Sequence, residues 1–146
     1  MKTLNNLDMD RIFAETETAV RDRAQQIMQE MREDRADPQL AERRKVDRTI
    51  AIEQEAQRIV DSLPALIGAR ISTGEQSLIL LTVANAPGFT YSPGAAHVVE
   101  TVVAEHNTAV ANLVIEKLSG IDKLHVSRHP YQAERLGSGF IVRVNW

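Results

Sequence analysis

The sequence predicts an α+β fold in which a long N-terminal helical hairpin precedes a small β-α-β-β unit with a mainly antiparallel sheet. Residues 1–63 hold 11 Lys/Arg and 14 Asp/Glu, whereas residues 64–146 hold six of each. All seven glycines and four of the five prolines lie at or beyond position 64, which leaves Pro38 as the one breaker in the charged part. We therefore assign residues 1–63 to the hairpin and residues 64–146 to an α+β core, and we expect one compact domain.

The first helix is predicted to begin after Asp8 and to run to about Asp34. Asp8 is a suitable N-cap, and Leu7 and Ile12 then occupy the positions of a hydrophobic staple. Apolar residues recur at intervals of three, four and seven and form one stripe: Ile12, Phe13, Val20, Ala24, Ile27, Met28 and Met31. One face of this helix is therefore expected to contact a partner element.

The second helix is predicted to begin at Asp37 and Pro38, an N-cap followed by a proline at the first helical position. We expect it to end at Leu63, because a proline such as Pro64 disfavours helical geometry in the residue before it. Its apolar side consists of Val46, Ile50, Ile52, Ala56, Ile59, Val60 and Leu63. The short link predicts an antiparallel hairpin, with each helix about 40 Å long.

A hairpin of this length exceeds what the remaining residues can cover. We expect it to pack on the core near Leu63 and to leave its distal portion, with Met28, Met31 and Leu40, against solvent or another subunit. Methionine suits such adaptable surfaces. The alternative is that these side chains close an ordinary intramolecular helix pair.

The second half of the chain is predicted to form a strand, a helix and two further strands. Residues 77–84 are aliphatic and β-branched and predict a central buried strand, beside which residues 69–72 are expected to pair. A cap at Ser92, with Pro93 at the first helical position, and a C-terminal glycine, Gly120, delimit a helix from Pro93 to Ser119. Residues 124–128 and 140–145 alternate apolar and polar side chains and predict an antiparallel pair.

Two aromatic residues, Phe89 and Tyr91, lie between prolines in the segment before this helix. Such a semi-rigid aromatic segment is a candidate interface for a partner protein. The alternative is that the two rings cap the core.

A histidine, His106, falls near the centre of the apolar face of the third helix, among valines and leucines. We expect it to be buried. As a functional residue it would be a general base or a ligand, since imidazole titrates near neutral pH. As a structural residue it would be a neutral core histidine or part of an interface, and the structural role is preferred.

Polar side chains gather on one face of the last two strands. His125, Ser127 and His129 share that face by strand alternation, and Arg143 and Asn145 are expected beside them across the pair. Arg143 as a fork donor and the histidines as hydrogen-bond partners would suit a phosphate or a carboxylate. Because an exposed sheet face has the same pattern, His125, Ser127, His129 and Arg143 are candidate ligand-binding residues only.

A cluster of cations on the second helix comprises Arg43, Arg44, Lys45 and Arg48. Acidic residues interleave with it and no aromatic residue accompanies it, so nucleic-acid binding there is the third hypothesis and is not expected. The sequence predicts no catalytic residue and no cofactor, because no catalytic constellation has adequate geometry. It predicts no metal site, because no Glu or Asp lies between paired histidines as in a zincin motif.

Composition excludes several classes of protein. The chain has no cysteine and therefore no disulfide framework and no thiolate metal site. A net charge of −3 gives no general attraction to nucleic acid or anionic lipid. The longest strongly apolar run is far too short for a membrane helix, and the first residues show no leader pattern, so we expect a cytoplasmic protein without a membrane span.

These observations favour a non-enzymatic protein of assembly or protein interaction, acting as an oligomeric structural component, for example of a virion, or as an inhibitor. Self-association or another protein is the expected partner. The alternative is a small enzyme or ligand-binding protein that uses the polar sheet face on a phosphate- or carboxylate-bearing ligand.

Overall fold

The computed structural model describes residues 8–85, 94–133 and 137–146. In chain order the elements are the helices α1 (Met9–Ala36) and α2 (Pro38–Ile71), the strand β1 (Ser77–Ala84), the helix α3 (Ala95–Leu118), and the strands β2 (His125–Ala133) and β3 (Gly137–Asn145). The three strands form one antiparallel sheet. The predicted α+β fold, with a long helical hairpin before a β-α-β-β unit, is confirmed.

Asp37 alone connects the two long helices. Its backbone N–H donates to Glu33 O and closes α1, while its side chain accepts from the backbone N–H groups of Gln39 and Leu40 and opens α2. At the other end of α1, the Asp8 side chain accepts from Arg11 N at 3.2 Å, as its N-cap role requires. Both predicted caps are confirmed, and Leu7, the other staple residue, lies outside the described residues.

The second helix does not end at Leu63. Pro64 lies inside α2, which continues to Ile71, so residues 69–71 are helical and the predicted strand at 69–72 is wrong. A proline in a helix removes the N–H that would bond the carbonyl four residues earlier, here that of Val60. The helix persists because Leu63 is buried and Ile67, one turn further on, packs against the same core.

The strand order is β1-β3-β2, so β1 is an edge strand rather than the predicted central one. Its register with β3 runs from Ser77 opposite Asn145 to Ala84 opposite Gly139, with an irregularity between Ile79 and Leu81. The apolar sequence of β1 suggested burial on both sides, but the last strand of the chain inserts between the first two.

The third helix begins at Ala95, with Gly94 as its N-cap, and ends at Leu118. The predicted cap at Ser92 and Pro93 lies outside the described residues. Gly120 does not take the left-handed conformation expected after a helix, because the C-cap Ser119 remains right-handed and the left-handed residue of this turn is Lys123.

The core lies between one face of the sheet and the helices α2 and α3. Its fully buried side chains include Val83, Val114, Leu118, Val142 and Val144. α1 contacts both other helices and buries only Ala24 and Ile27. No described element covers the other face of the sheet, where Ile79 is half exposed.

Candidate functional site

The polar residues predicted on the sheet lie on this uncovered face. His125 is opposite Asn145, Ser127 is opposite Arg143, and His129 is opposite Ile141. The alternate residues of β3, Val142 and Val144, are fully buried against the helices.

Only two of the predicted ligand-binding residues are joined by a hydrogen bond. Ser127 Oγ and His129 Nε2 lie 2.8 Å apart, while His125 and His129 are both exposed. Arg143 Nε is buried and has no hydrogen-bond partner among the described residues. The residues form an open face rather than an enclosed site, and binding of a phosphate or a carboxylate there remains a prediction.

Two of the residues predicted to contact a partner, Met28 and Met31, are exposed, and Leu40 is not. Met28 and Met31 keep 47% and 49% of their surface exposed, and Leu40 is partly buried. Phe89 and Tyr91 lie outside the described residues.

A second free apolar surface lies at the start of α1. Met9, Ile12 and Phe13 are exposed, and Phe13 keeps 66% of its surface. With Val20 they continue, at helical spacing, the stripe that is buried at Ala24 and Ile27. The sequence pattern placed Ile12 and Phe13 on this stripe, but it indicated the turn of the hairpin, and not the start of α1, as the part left free.

His106 is not buried, and the prediction that it is a core residue is wrong. Its side chain keeps 35% exposure, and the described residues include no buried polar or charged side chain. His106 lies at the edge of the apolar face of α3, where its Nε2–H donates to Glu55 Oε2 of α2 at 2.7 Å. No local sequence signal pairs these residues, because they are 51 positions apart in the chain.

His106 and Glu55 belong to a cleft between the three helices, with a volume of about 680 Å³. Three cations from two helices line it: Arg23, Lys45 and Arg48. Val102 and Val103 of α3 and Ile52 of α2 contribute an apolar wall. Three other hollows in the described ranges are each lined by a single helix, whereas this cleft is built from three helices.

The basic cluster of the second helix is divided between two environments. Arg44 is turned toward α1, where it donates to Glu30 O at 2.9 Å and to Asp34 Oδ1 at 2.7 Å and also pairs with Glu33. The hydrogen bond from Arg44 lowers the pKa of Glu33 below its usual range, and the same bond raises the pKa of Arg44. Lys45 and Arg48 instead line the cleft, so the cluster is not one continuous basic patch.

In comparisons with protein-family models, curated proteins and solved structures, no match to this chain was found. Among the helices of the described ranges, none combines the length and the apolar character that crossing a membrane would take. Within the same ranges, no three His, Asp or Glu side chains lie together in a way that would hold a metal ion.

Proposed function

We propose that this chain is a non-enzymatic assembly protein that associates with a second copy of itself through the exposed apolar stripe of α1. The observation that carries the proposal is that the stripe buried at Ala24 and Ile27 continues uncovered to Met9. In the described ranges no element lies against Ile12 or Phe13.

Continuity supports this surface as an interface. An apolar residue exposed singly on a surface is ordinary, but an aligned set that extends a buried stripe has the form of half a helix pair. Two copies related by a two-fold axis would cover each other's stripe with the same residues. Phe13 at its centre is an aromatic residue of the kind that anchors interfaces.

Charge supports a second copy as the occupant. Beside the stripe, Arg11 pairs with Glu15 at 2.9 Å and Arg21 pairs with Glu17 at 3.0 Å, each within the helix. These four border residues therefore carry charges that are compensated within the helix. Such borders do not call for a strongly charged partner, and they do not repel an identical copy.

The test is the mass in solution of the full chain and of two variants. Phe13→Glu places a charge in the stripe, while Gln25→Glu places the same charge on an exposed position outside it. Light scattering at tens of micromolar should give at least twice the chain mass of 16.3 kDa for the unmodified chain and for Gln25→Glu. Phe13→Glu should shift the mass toward that of a single chain.

Two results would contradict the proposal. One is a monomeric mass for the unmodified chain across this concentration range. The other is an oligomer that Phe13→Glu leaves intact, which would place self-association on another surface. Circular dichroism of each variant confirms that the helices have formed.

A further inference from the structure

At the cleft between the helices, positively charged residues interrupt the apolar stripe of α2 that faces the core. Ile52, Ala56, Ile59 and Leu63 recur at intervals of three and four and pack toward the core. Continued toward the start of the helix, the same spacing falls on Arg48 and Lys45. The helix therefore presents two cations where a core helix would present apolar side chains.

None of the three cations lining the cleft forms an ion pair within the described ranges. Six of the eight ion pairs there belong to other arginines, and the remaining two belong to His106 and Lys117. Arg23 only donates to Gln26 Oε1, at 3.0 Å. Arg44, a direct neighbour of Lys45 in sequence, is by contrast fully engaged by α1. In these ranges the three cations on the wall of this concave site are thus free of direct ion pairs.

Two carboxylates, Glu55 and Glu105, also line the cleft, so its lining carries three positive and two negative charges. Glu55 is held by His106 at 2.7 Å and lies 3.8 Å from Arg58, while Glu105 makes no ion pair among the described residues. Since Glu55 fixes Nε2–H, the other nitrogen of the imidazole, Nδ1, is left without a protein partner in the same ranges. Together with Thr49 and Asn107, it adds hydrogen-bonding capacity to the lining.

An apolar wall stands beside the cations. Val103 lies on the side of α3 that turns toward the other helices, yet it keeps 49% of its surface exposed because the cleft leaves it uncovered. Ile52 and Val102 flank it. A cavity of several hundred cubic ångströms that combines an apolar wall with grouped polar side chains has the form of a small-molecule site.

From these features we infer that the cleft binds a small organic phosphate, with the phosphoryl group on Arg23, Lys45 and Arg48 and its organic part against Ile52, Val102 and Val103. A phosphomonoester dianion offers three peripheral oxygens, which match two guanidinium forks and an ammonium group better than a monocarboxylate does. This inference does not depend on self-association through α1.

The experiment is a nuclear magnetic resonance titration of the labelled chain with phenyl phosphate, inorganic phosphate and benzoate at about 0.15 M salt, where long-range attraction is screened. We expect phenyl phosphate to bind saturably, with a Kd of ~1 mM or tighter, and to shift the methyl signals of Val102 and Val103. Inorganic phosphate should bind more weakly because it lacks the apolar part. Benzoate should bind more weakly because it lacks the second charge.

Paired variants identify the site. Arg48→Gln and Lys45→Gln remove cleft cations, whereas Arg43→Gln removes an exposed cation of the same helix that does not line the cleft. Each cleft variant should weaken phenyl phosphate on the order of tenfold, and Arg43→Gln should have little effect. A dispersed spectrum for each variant verifies its fold.

Three results would overturn the inference: the absence of saturable shifts, equal weakening by Arg43→Gln and Arg48→Gln, or equal affinity for benzoate and phenyl phosphate. The absence of saturable shifts would show that the cleft does not bind phenyl phosphate. Equal weakening by the two variants would indicate diffuse attraction to the surface, and equal affinities would show that the cleft does not select phosphate.

Discussion

At the scale of single residues, Gly139 is the position in β3 that tolerates no side chain. A Cβ at Gly139 would collide with the backbone oxygen of Val83 on one neighbouring strand, and would lie 2.6 Å from the hydroxyl of Tyr131 on the other. Neither the paired backbone nor the packed ring can move without loss of sheet contacts.

We predict that Gly139→Ala lowers the free energy of unfolding by about 2 kcal/mol or more, because overpacking forces the strands apart. Gly68→Ala is the matched control: nothing lies within 4 Å of its Cβ, and as a helical position it should gain about 0.5–1 kcal/mol. Urea unfolding measures the free energy of unfolding of both variants. Equal stability of Gly139→Ala and the unmodified chain would contradict the packing described.

The pairing of Arg44 with Glu33 leads to a prediction of how the stability of the protein depends on pH in the acid range. The folded pKa of Glu33 is depressed from 4.5 by the Arg44 hydrogen bond, so the stabilisation from this pair is present above that value. It is lost as the pH falls through the lower pKa of the folded chain. Arg44→Gln should therefore be less stable near neutral pH and should lose less further stability on acidification.

The measurement is the urea midpoint at a series of values from neutral to about pH 3. Arg43→Gln, which removes an arginine without an ion pair in the described ranges, should keep the acid dependence of the unmodified chain. A parallel acid dependence for Arg44→Gln and the unmodified chain would show that Glu33 is not coupled to Arg44.

His106 shows why single residues of the cleft escaped prediction. Helical periodicity placed it on the apolar face, and its actual position at the edge of that face depends on the angle at which α2 crosses α3. Lys45 and Arg48 were grouped with Arg43 and Arg44 in one basic cluster for the same reason, since composition does not reveal which side of a helix another helix covers. The shared face of His125, Ser127 and Arg143, in contrast, follows from strand alternation.

At the scale of elements, the local signals that predicted boundaries correctly are those with their own hydrogen bonds. Asp8 and Asp37 bind backbone N–H groups directly, so their sequence positions fix the starts of α1 and α2. The end of α2 was wrong, because burial of Leu63 and Ile67 outweighs the break that Pro64 would cause in an isolated helix. Tertiary packing of this kind is invisible in a local pattern.

We predict that Pro64→Ala stabilises the protein. Alanine restores an N–H for the carbonyl of Val60 and removes the clash of the ring, and in a helix interior the difference between the two residues is up to ~3 kcal/mol. Position 64 is exposed, so the substitution should leave no cavity in the core. A thermal midpoint that rises is the expected result, whereas a fall would show that the packing of Leu63 requires the proline.

At the scale of the whole molecule, the division into a hairpin and an α+β core was predictable, but the packing of the two parts against each other was not. The α+β class and the hairpin were predictable because charge, glycine and proline divide sharply near position 64. The arrangement of the halves was not, since the sequence does not show that α1 contacts both α2 and α3 and yet buries only Ala24 and Ile27. The free stripe of α1 and the cleft both arise from this arrangement.

The strand order has a consequence for how the molecule is made. β1 and β2 never touch as neighbours, because each is hydrogen-bonded only to β3. During synthesis the hairpin of α1 and α2 can close through Arg44 as soon as residue 71 has emerged, yet both other strands must wait, unpaired, for residues 137–145. Until that last segment has been synthesised, the uncharged strand Ser77–Ala84 has no hydrogen-bonding neighbour. The chain is therefore most prone to aggregate during this stage of its synthesis.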